Sequence, residues 1–393
     1  MKTKTSVINP PKLNAPKFQT AGAVIDIKLK SIRDQKIFIG QSLINVVGNE
    51  FKSLGFDKVV VFADLKLKKV HQDYLEQIVD QVGRGADVIY IKASPHIKDF
   101  SFLKKIIGKL IDVRVNRGSA IVAIGGGTLI DLVGFVASLY MRGVAFIAIP
   151  TTFMAQCDTV IGKVGINYKK HKHLLGSFYS PALTFCDSYF LQSVEKREVF
   201  NGLVEVWKHA LLTRDKHLLE YFSTGNFEKF ETDPGILKDV IASSILVKKS
   251  FVEKDFLDLN GKHAALSLGH TFANYLEGEG TIRHGEAILV GTIFCTFLSR
   301  RAKLLSEKET KLILETSRLF LKVFKDNKAI LKKIKSDDTV LGALRLDKIN
   351  KVFGRFNFVV PTNKGYTMIS AEKEKIKECL KLLKGFLTGS VQA

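Results

Sequence analysis

Two domains are expected from this chain: an α/β domain built on a parallel sheet in the N-terminal half, then a mainly α-helical domain. Three observations predict it. From about Val24 to Pro150, short β-branched runs alternate with amphipathic stretches, the βαβ pattern of a parallel sheet flanked by helices. From Glu195 onward the pattern changes to long helical segments. The length, 393 residues, exceeds what one hydrophobic core usually serves. The expected division is a flexible basic extension over residues 1–21, the α/β domain over 22–185 and the helical domain over 186–393.

The elements follow in order. KVVVFAD is a strand ending in an acidic residue, HQDYLEQIVDQVGRG is a helix and DVIYIKA is a second strand. FLKKIIGKLIDVRVNRG continues as a helix, and SAIVAIGGG is a strand that runs into glycines. After FIAIPTT the chain becomes less regular to about Pro181. Four long helical segments follow: REVFNGLVEVWKHALL, GILKDVIASSILVKKSFVEKD, GEAILVGTIFCTFLSRRAKLL and KETKLILETSRLFLKVF. FNFVVPT reads as a lone strand near the end.

Composition narrows the function classes. A hydrophobic fraction of 46% with 25% charged residues is ordinary for a soluble globular protein. The longest apolar runs are strand-length, far short of the roughly 20 residues of a membrane helix. With no apolar leader or transit pattern at the start, the expected location is the cytoplasm. The four cysteines are scattered without a CxxC pair, which predicts buried, reduced thiols and no disulfide framework. The net charge of +21 raises nucleic-acid binding as a reading. However, the lysines are dispersed over apparent helix surfaces such as KSIRDQK and EKEKIKECLKLLKG, and no nucleic-acid-binding motif accompanies them. An anionic, phosphorylated substrate and a dinucleotide would also favour a positive cleft.

Three groups of residues carry chemistry. In AIGGGTLID, Gly125, Gly126 and Gly127 lead a buried strand into a helix N-terminus. Without Cβ atoms the backbone can approach a pyrophosphate, and the free N–H groups of the first turn form an anion site. Asp64, ending an earlier strand, is placed to bind a ribose hydroxyl. The turn is not GxGxxG, and a tight strand–helix connection explains it equally well. The second group is Glu205, His270 and His284, a carboxylate and two imidazoles that suit Zn²⁺ or a similar ion and leave positions open for substrate. Their wide spacing makes satisfied core or helix-surface histidines the stronger reading from spacing alone. The third group is cationic. Lys208 follows Glu205 by three residues and shares its helix face. Lys163 lies in glycine-rich DTVIGKVGIN beside Asp158, and Lys172, Lys248 and Arg142 complete a set able to hold a phosphate and a polyol. Solvated charge is the ordinary alternative for each.

The segments IGGGTLIDLVGFVASLYMRGVAFIAIPTTFMAQCD, GKVGIN, LLGSFYSP, GLVEVWKH, LGHTF and HGEA occur in one order, with compatible flanks from about residue 22 to 385. In that register they resemble the 3-dehydroquinate synthase family and its sugar-phosphate cyclase relatives. The resemblance implies an α/β N-terminal nucleotide-binding domain, a mainly α-helical C-terminal metal-binding domain and a homodimer. It implies NAD⁺ recycled within each turnover, Zn²⁺ or Co²⁺ as the metal, and a phosphorylated sugar as substrate. A substrate hydroxyl is oxidised, phosphate is eliminated, hydride returns and an intramolecular aldol step closes a carbocycle. Position by position, Glu205, His270 and His284 fall on the metal ligands. Gly125, Gly126, Gly127, Asp131, Thr151, Thr152, Asp158 and Lys172 fall on the NAD⁺ site. Arg142, Lys163, Lys208 and Lys248 fall on substrate- and phosphate-binding positions, the three lysines being the catalytic candidates.

Several positions depart from the family pattern. The loop around Lys163 is one residue shorter, and an insertion follows Asp255. His263 stands where 3-dehydroquinate synthases carry an arginine that would bind the substrate carboxylate bidentately, which an imidazole does not reproduce. Ser267 replaces an asparagine, Asn274 replaces the second histidine of GHTFGH, and His173 replaces the asparagine after Lys172. The usual DKK reads Asp347, Lys348, Ile349, and SPHIKDF lacks the acidic residue of the P.GE..K loop. His173, His263 and Asn274 are therefore the altered substrate-recognition positions. The expected substrate is a sugar phosphate other than that of the shikimate pathway, in a class resembling 2-deoxy-scyllo-inosose synthases or another cyclitol synthase. One rival is a metal-dependent polyol dehydrogenase of the same plan, whose GGGS..D..K motif needs a lysine where Gly134 stands. The other is a non-enzymatic basic nucleic-acid-binding protein, which has no reason to keep three metal ligands.

Overall fold

Among the described residues of the first part of the chain nine strands form, most of them aliphatic, β-branched runs between polar turns: β1 (Ala23–Ile27), β2 (Gln35–Gly40), β3 (Val59–Asp64), β4 (Asp87–Ile91), β5 (Ala120–Gly125), β6 (Ala145–Pro150), β7 (Val164–Tyr168), β8 (His171–Ser177) and β9 (Leu183–Asp187). The computed structural model describes residues 23–27, 34–83, 85–169, 171–223, 227, 229–277, 282–324, 327–334, 336–345 and 356–391. The extension expected at 1–21 and the triplet Asp347, Lys348, Ile349 lie outside the described residues. The described chain separates into two compact units. A sheet unit takes the residues up to Val199 together with Asp233–Leu257; a helical unit takes Phe200–Thr232 and the chain from Asp258 onward.

In the sheet unit seven strands lie in the order β1-β2-β9-β6-β5-β3-β4, and all neighbours are parallel except the β1–β2 pair. Alternate residues of the central strands face opposite sides. Val60, Phe62, Ile121 and Ala123 pack with Leu103, Ile106 and Leu110 of helix Phe100–Asp112 and with Leu129 and Val133 of helix Gly127–Leu139. Val59, Val61, Val122 and Ile124 pack with Val47 and Phe51 of helix Ile44–Leu54 and with Leu75 and Ile78 of helix Gln72–Val82. Burial on both faces is why these strands read as continuous apolar runs. The chain passes from β3 to β4 on one side, then returns to β5 on the other side of β3. The strand order therefore reverses between β3 and β5, where open α/β sheets bind ligands at their carboxyl ends.

The helical unit is organised on helix His284–Arg301, in which every residue from Gly285 to Ser299 is buried. A helix apolar on all sides is a core helix. Two glycines let other backbones reach it. A Cβ at Gly285 would lie 2.3 Å from the Asn201 carbonyl oxygen, and one at Gly291 only 2.0 Å from the Gly269 carbonyl oxygen. Gly269 itself has φ +78°, a conformation that favours glycine. No helix among the described residues is long and apolar enough to cross a membrane, and Cys157, Cys186, Cys295 and Cys379 are buried thiols.

Several sequence expectations are corrected. FNFVVPT is not a lone strand: β10 (Phe356–Thr362) pairs antiparallel with β11 (Gly365–Ala371). The stretch expected to be irregular before Pro181 carries the β7–β8 hairpin, disguised by the polar, basic residues of NYKKHKH. The helix expected through FLKKIIGKLIDVRVNRG ends at Asp112, because Arg114 takes φ +55° and Asn116 Oδ1 accepts from Gly118 N in a turn. In KSIRDQK, expected as a helix surface, Gln35 and Lys36 begin β2.

The close approach at Gly291 is testable against a glycine with open space. Gly291→Ala should destabilise the chain by roughly 1–3 kcal/mol in denaturant unfolding, since overpacking outweighs the better helix propensity of alanine. Gly342→Ala, where nothing lies within 4 Å of the new methyl on helix Asp337–Leu344, should stabilise by about 0.5–1 kcal/mol. Equal effects at the two positions would refute the packing argument.

Candidate functional site

Three segments of the helical unit bring Glu205, His270 and His284 together. Glu205 lies within helix Lys196–Thr213, His270 opens helix His270–Leu276, and His284 opens helix His284–Arg301. One ligand atom from each lies within 4.8 Å of the others. Glu205 Oε1 is 3.2 Å from His284 Nε2 and 3.6 Å from His270 Nε2. Its other oxygen, Oε2, is ion-paired with Lys208, whose ammonium also donates to the Leu266 carbonyl at 2.8 Å. Glu205 and Lys208 are 1% and 2% exposed, so the helix face shared by this i, i+3 pair is closed to solvent.

The motif residues around these three side chains have distinct structural tasks. In HGEA, His284 supplies a ring, and Gly285 admits the Asn201 backbone one turn before Glu205. Glu286 completes a capping box by accepting from Arg283 N at 3.1 Å, while Glu286 N donates to Asn201 Oδ1 at 3.2 Å. In GHTF, Gly269 packs against Gly291 and hands His270 to its helix.

The donor set fits a cation. His270 Nδ1 lies 3.2 Å from Leu268 O and His284 Nδ1 lies 2.7 Å from Glu277 Oε1, so each ring has an acceptor behind it and turns Nε2 toward Glu205. Neither Glu205 oxygen, though fully buried, accepts a well-formed hydrogen bond. Burial disfavours the charged Glu205, but Lys208 and the two imidazoles outweigh it and hold the carboxyl well below the usual range. Burial and the Lys208 ammonium push His270 down to about 3, leaving its Nε2 a lone pair facing a carboxylate oxygen. Burial also opposes a proton on His284, yet Glu205 and Glu277 outweigh it and raise that ring to about 10. Two imidazole nitrogens and an oxygen converging in this way suit Zn²⁺ or a similar divalent ion.

The sheet unit gathers a second set at the carboxyl edge of its parallel strands. Asp64 ends β3 and Gly125 ends β5, on either side of the strand-order reversal. A Cβ at Gly125 would lie 3.4 Å from Asp64 Cβ, one at Gly126 3.2 Å from Thr152 Cγ2, and one at Gly127 2.8 Å from Thr159 Oγ1. These bare backbones open helix Gly127–Leu139, whose first N–H groups form an anion site. Thr151 N donates to Gly125 O at 3.0 Å. In the same unit Lys248, 5% exposed on helix Pro234–Val252, donates to Asp158 Oδ1 at 2.9 Å.

Asp131 and His173 meet at a residue the sequence reading did not single out. Lys98, 7% exposed, contacts both the Asp131 carboxylate and His173 Nε2. Burial raises the Asp131 carboxyl despite that ammonium. In SPHIKDF, Lys98 stands at the place of the acidic residue of the P.GE..K loop, a replacement that marks the position but not its partners. Lys163 and Lys172 are exposed. Arg142 is exposed at φ +64°, at the far end of the 13-residue helix that Gly127 begins, about 20 Å away at 1.5 Å per residue. It is not brought to the glycine edge. In the helical unit, His263 is 5% exposed with its backbone N donating to Asp258 Oδ1 at 3.0 Å, and Asn274 is exposed one turn beyond His270 on the same face. Glu277 was also missed, although its place seven residues after His270 and seven before His284 put it on the His270 helix face.

Known families match both halves of the chain. The family described as 3-dehydroquinate synthase N-terminal matches residues 88–201, and that described as 3-dehydroquinate synthase C-terminal matches residues 202–348. A 3-dehydroquinate synthase of Thermodesulfovibrio yellowstonii is 30% identical over 86% of this chain and 94% of its own length. The bifunctional 3-dehydroquinate synthase/phosphatase of Fusobacterium nucleatum subsp. nucleatum is 31% identical over 93% of this chain, which spans about half (54%) of that relative. In fold, the chain is similar to a 2-deoxy-scyllo-inosose synthase solved with carbaglucose-6-phosphate, NAD⁺ and Co²⁺, with a TM-score of 0.76 and 23% identity over 91% of this chain and 99% of that one. Matched through both halves, and over nearly the whole length of one relative, the chain belongs to the 3-dehydroquinate synthase family.

Proposed function

We propose that this chain is an NAD⁺- and divalent-metal-dependent sugar-phosphate cyclase, a carbon–oxygen lyase that releases phosphate and closes a carbocycle. The observation that carries it is Glu205 Oε1 facing two imidazole Nε2 atoms whose Nδ1 atoms are tied back, in a chain of this family. Glu205, His270 and His284 would hold Zn²⁺ or Co²⁺. Gly125, Gly126, Gly127, Asp131, Thr151, Thr152, Asp158, Lys172 and Asp64 would hold NAD⁺, with the pyrophosphate at the helix N-terminus. When bound, the metal supplies a Lewis acid for substrate oxygens, and the nicotinamide supplies a reversible hydride acceptor.

Oxidation of a substrate hydroxyl to a ketone acidifies the adjacent C–H, and phosphate departs by elimination. Reduction of the ketone, ring opening and an intramolecular aldol addition then form the new C–C bond. Lys163, Lys208 and Lys248 are assigned to the anionic groups of the substrate and to proton transfer. Lys208 and Lys248 are already fixed by Glu205 and Asp158, so their charges need little reorganisation as phosphate leaves. A homodimer belongs to the same proposal.

The substrate is proposed to be a phosphorylated sugar without the carboxylate of the shikimate-pathway compound. His263 supports this, because imidazole cannot form the bidentate guanidinium–carboxylate pair. His173 and Asn274 are the other recognition positions that differ. Phosphate release should be assayed with NAD⁺ and Zn²⁺ on the carboxylated shikimate-pathway sugar, glucose 6-phosphate and sedoheptulose 7-phosphate. Turnover confined to the carboxylated sugar would defeat the substrate assignment while leaving the cyclase reading intact. Net NADH accumulation from a simple polyol would instead favour the dehydrogenase.

Chelation should abolish phosphate release, and Zn²⁺ or Co²⁺ should restore it. Glu205→Gln should lower activity by at least about 10²-fold, as loss of a charged ligand weakens the site. Retained metal content and activity in that variant would sink the ligand assignment. A bound ion must displace the proton that Glu205 and Glu277 hold on His284, so metal affinity should fall as pH falls, about tenfold per unit for one proton displaced. Chelator competition from pH 6 to 8 measures this slope, and a flat profile would contradict it.

A further inference from the structure

We infer that Glu277 is a positioning residue for the metal centre, holding His284 Nδ1 so that the opposite ring nitrogen stays directed at Glu205. The inference rests on the metal-binding reading above. Glu277 is 8% exposed at the C-terminal end of the helix that His270 begins, and its Oε1 lies 2.7 Å from His284 Nδ1. The two nitrogens of an imidazole point away from one another. A carboxylate on Nδ1 therefore lies behind the ring and cannot share an ion held at Nε2, and Glu277 is not among the three converging ligands.

The two histidines are held unequally. His270 Nδ1 faces the neutral carbonyl of Leu268 at 3.2 Å, whereas His284 Nδ1 faces a carboxylate at shorter range. A charge-assisted bond is roughly twice as strong as a neutral one, and a carboxylate behind a ligating histidine makes that ring more basic. Seven residues are about two helical turns, so His270 and Glu277 lie on one face of the same short helix. That helix thus supplies one imidazole and the group that aims the other.

The test uses the purified full chain with Glu277→Ala and Glu277→Gln. Zn²⁺ affinity is read by chelator competition, the ligand geometry by the visible spectrum of the Co²⁺ form, and folding by circular dichroism. Glu277→Ala should remain folded, bind Zn²⁺ about 10–100-fold more weakly and change the Co²⁺ spectrum. Glu277→Gln keeps an acceptor oxygen without the charge and should fall between the two, which preserves the test if the alanine variant does not fold. Unaltered affinity and spectrum in the folded variants would overturn the inference. Failure of the unmodified chain to bind metal would overturn the metal reading itself, and this inference with it.

Discussion

Two bare stretches of backbone on one buried helix fix the functional geometry of the helical unit. At Gly285 the helix touches the backbone of Asn201, one turn before Glu205; at Gly291 it touches Gly269, the residue before His270. Helix His284–Arg301 itself begins with the third residue of the set, His284. The three donors are therefore registered by main-chain contact, which is stiffer than side-chain packing. A site carried on helices keeps its spacing better than one assembled on loops.

The electrostatics follow a related economy. Among the described lysines, three are almost fully buried, and each is paired with a carboxylate: Lys98 with Asp131, Lys208 with Glu205 and Lys248 with Asp158. An unpaired charge in such surroundings is costly, and pairing offsets that cost. At Glu205 the pairing also divides the carboxylate, one oxygen going to the ammonium and the other to the two imidazoles. The other described lysines reach the surface at least in part, and the three buried ones sit in pairs that balance their charge.

The sequence revealed the parts of this design that have a period or a motif. The alternation of KVVVFAD, DVIYIKA and SAIVAIG predicted a parallel sheet because strands buried on both faces are apolar throughout. Glu205 and Lys208 shared a face because three residues are nearly one helical turn. The hairpin β7–β8 was hidden, since HKHLLGS has strand geometry but a loop-like composition. Glu277 and Lys98 were hidden for another reason: their roles depend on partners 7 and 33 residues away, and no local pattern marks a carboxylate behind an imidazole or an ammonium beside an aspartate. Arg142, legible as a conspicuous cation, stands far from the glycine edge of its own sheet unit.

The chain leaves the sheet unit after Val199, returns to it for Asp233–Leu257 and leaves again. Helix Pro234–Val252 therefore completes the N-terminal unit although it is translated after the first long helix of the other one. During synthesis the sheet lacks a packing element, and Asp158 lacks its Lys248, until more than 250 residues have left the ribosome. A cut at the apparent boundary near residue 185 would separate that helix from the sheet it covers, so the two units are better regarded as interleaved partners in folding than as successive beads on a string.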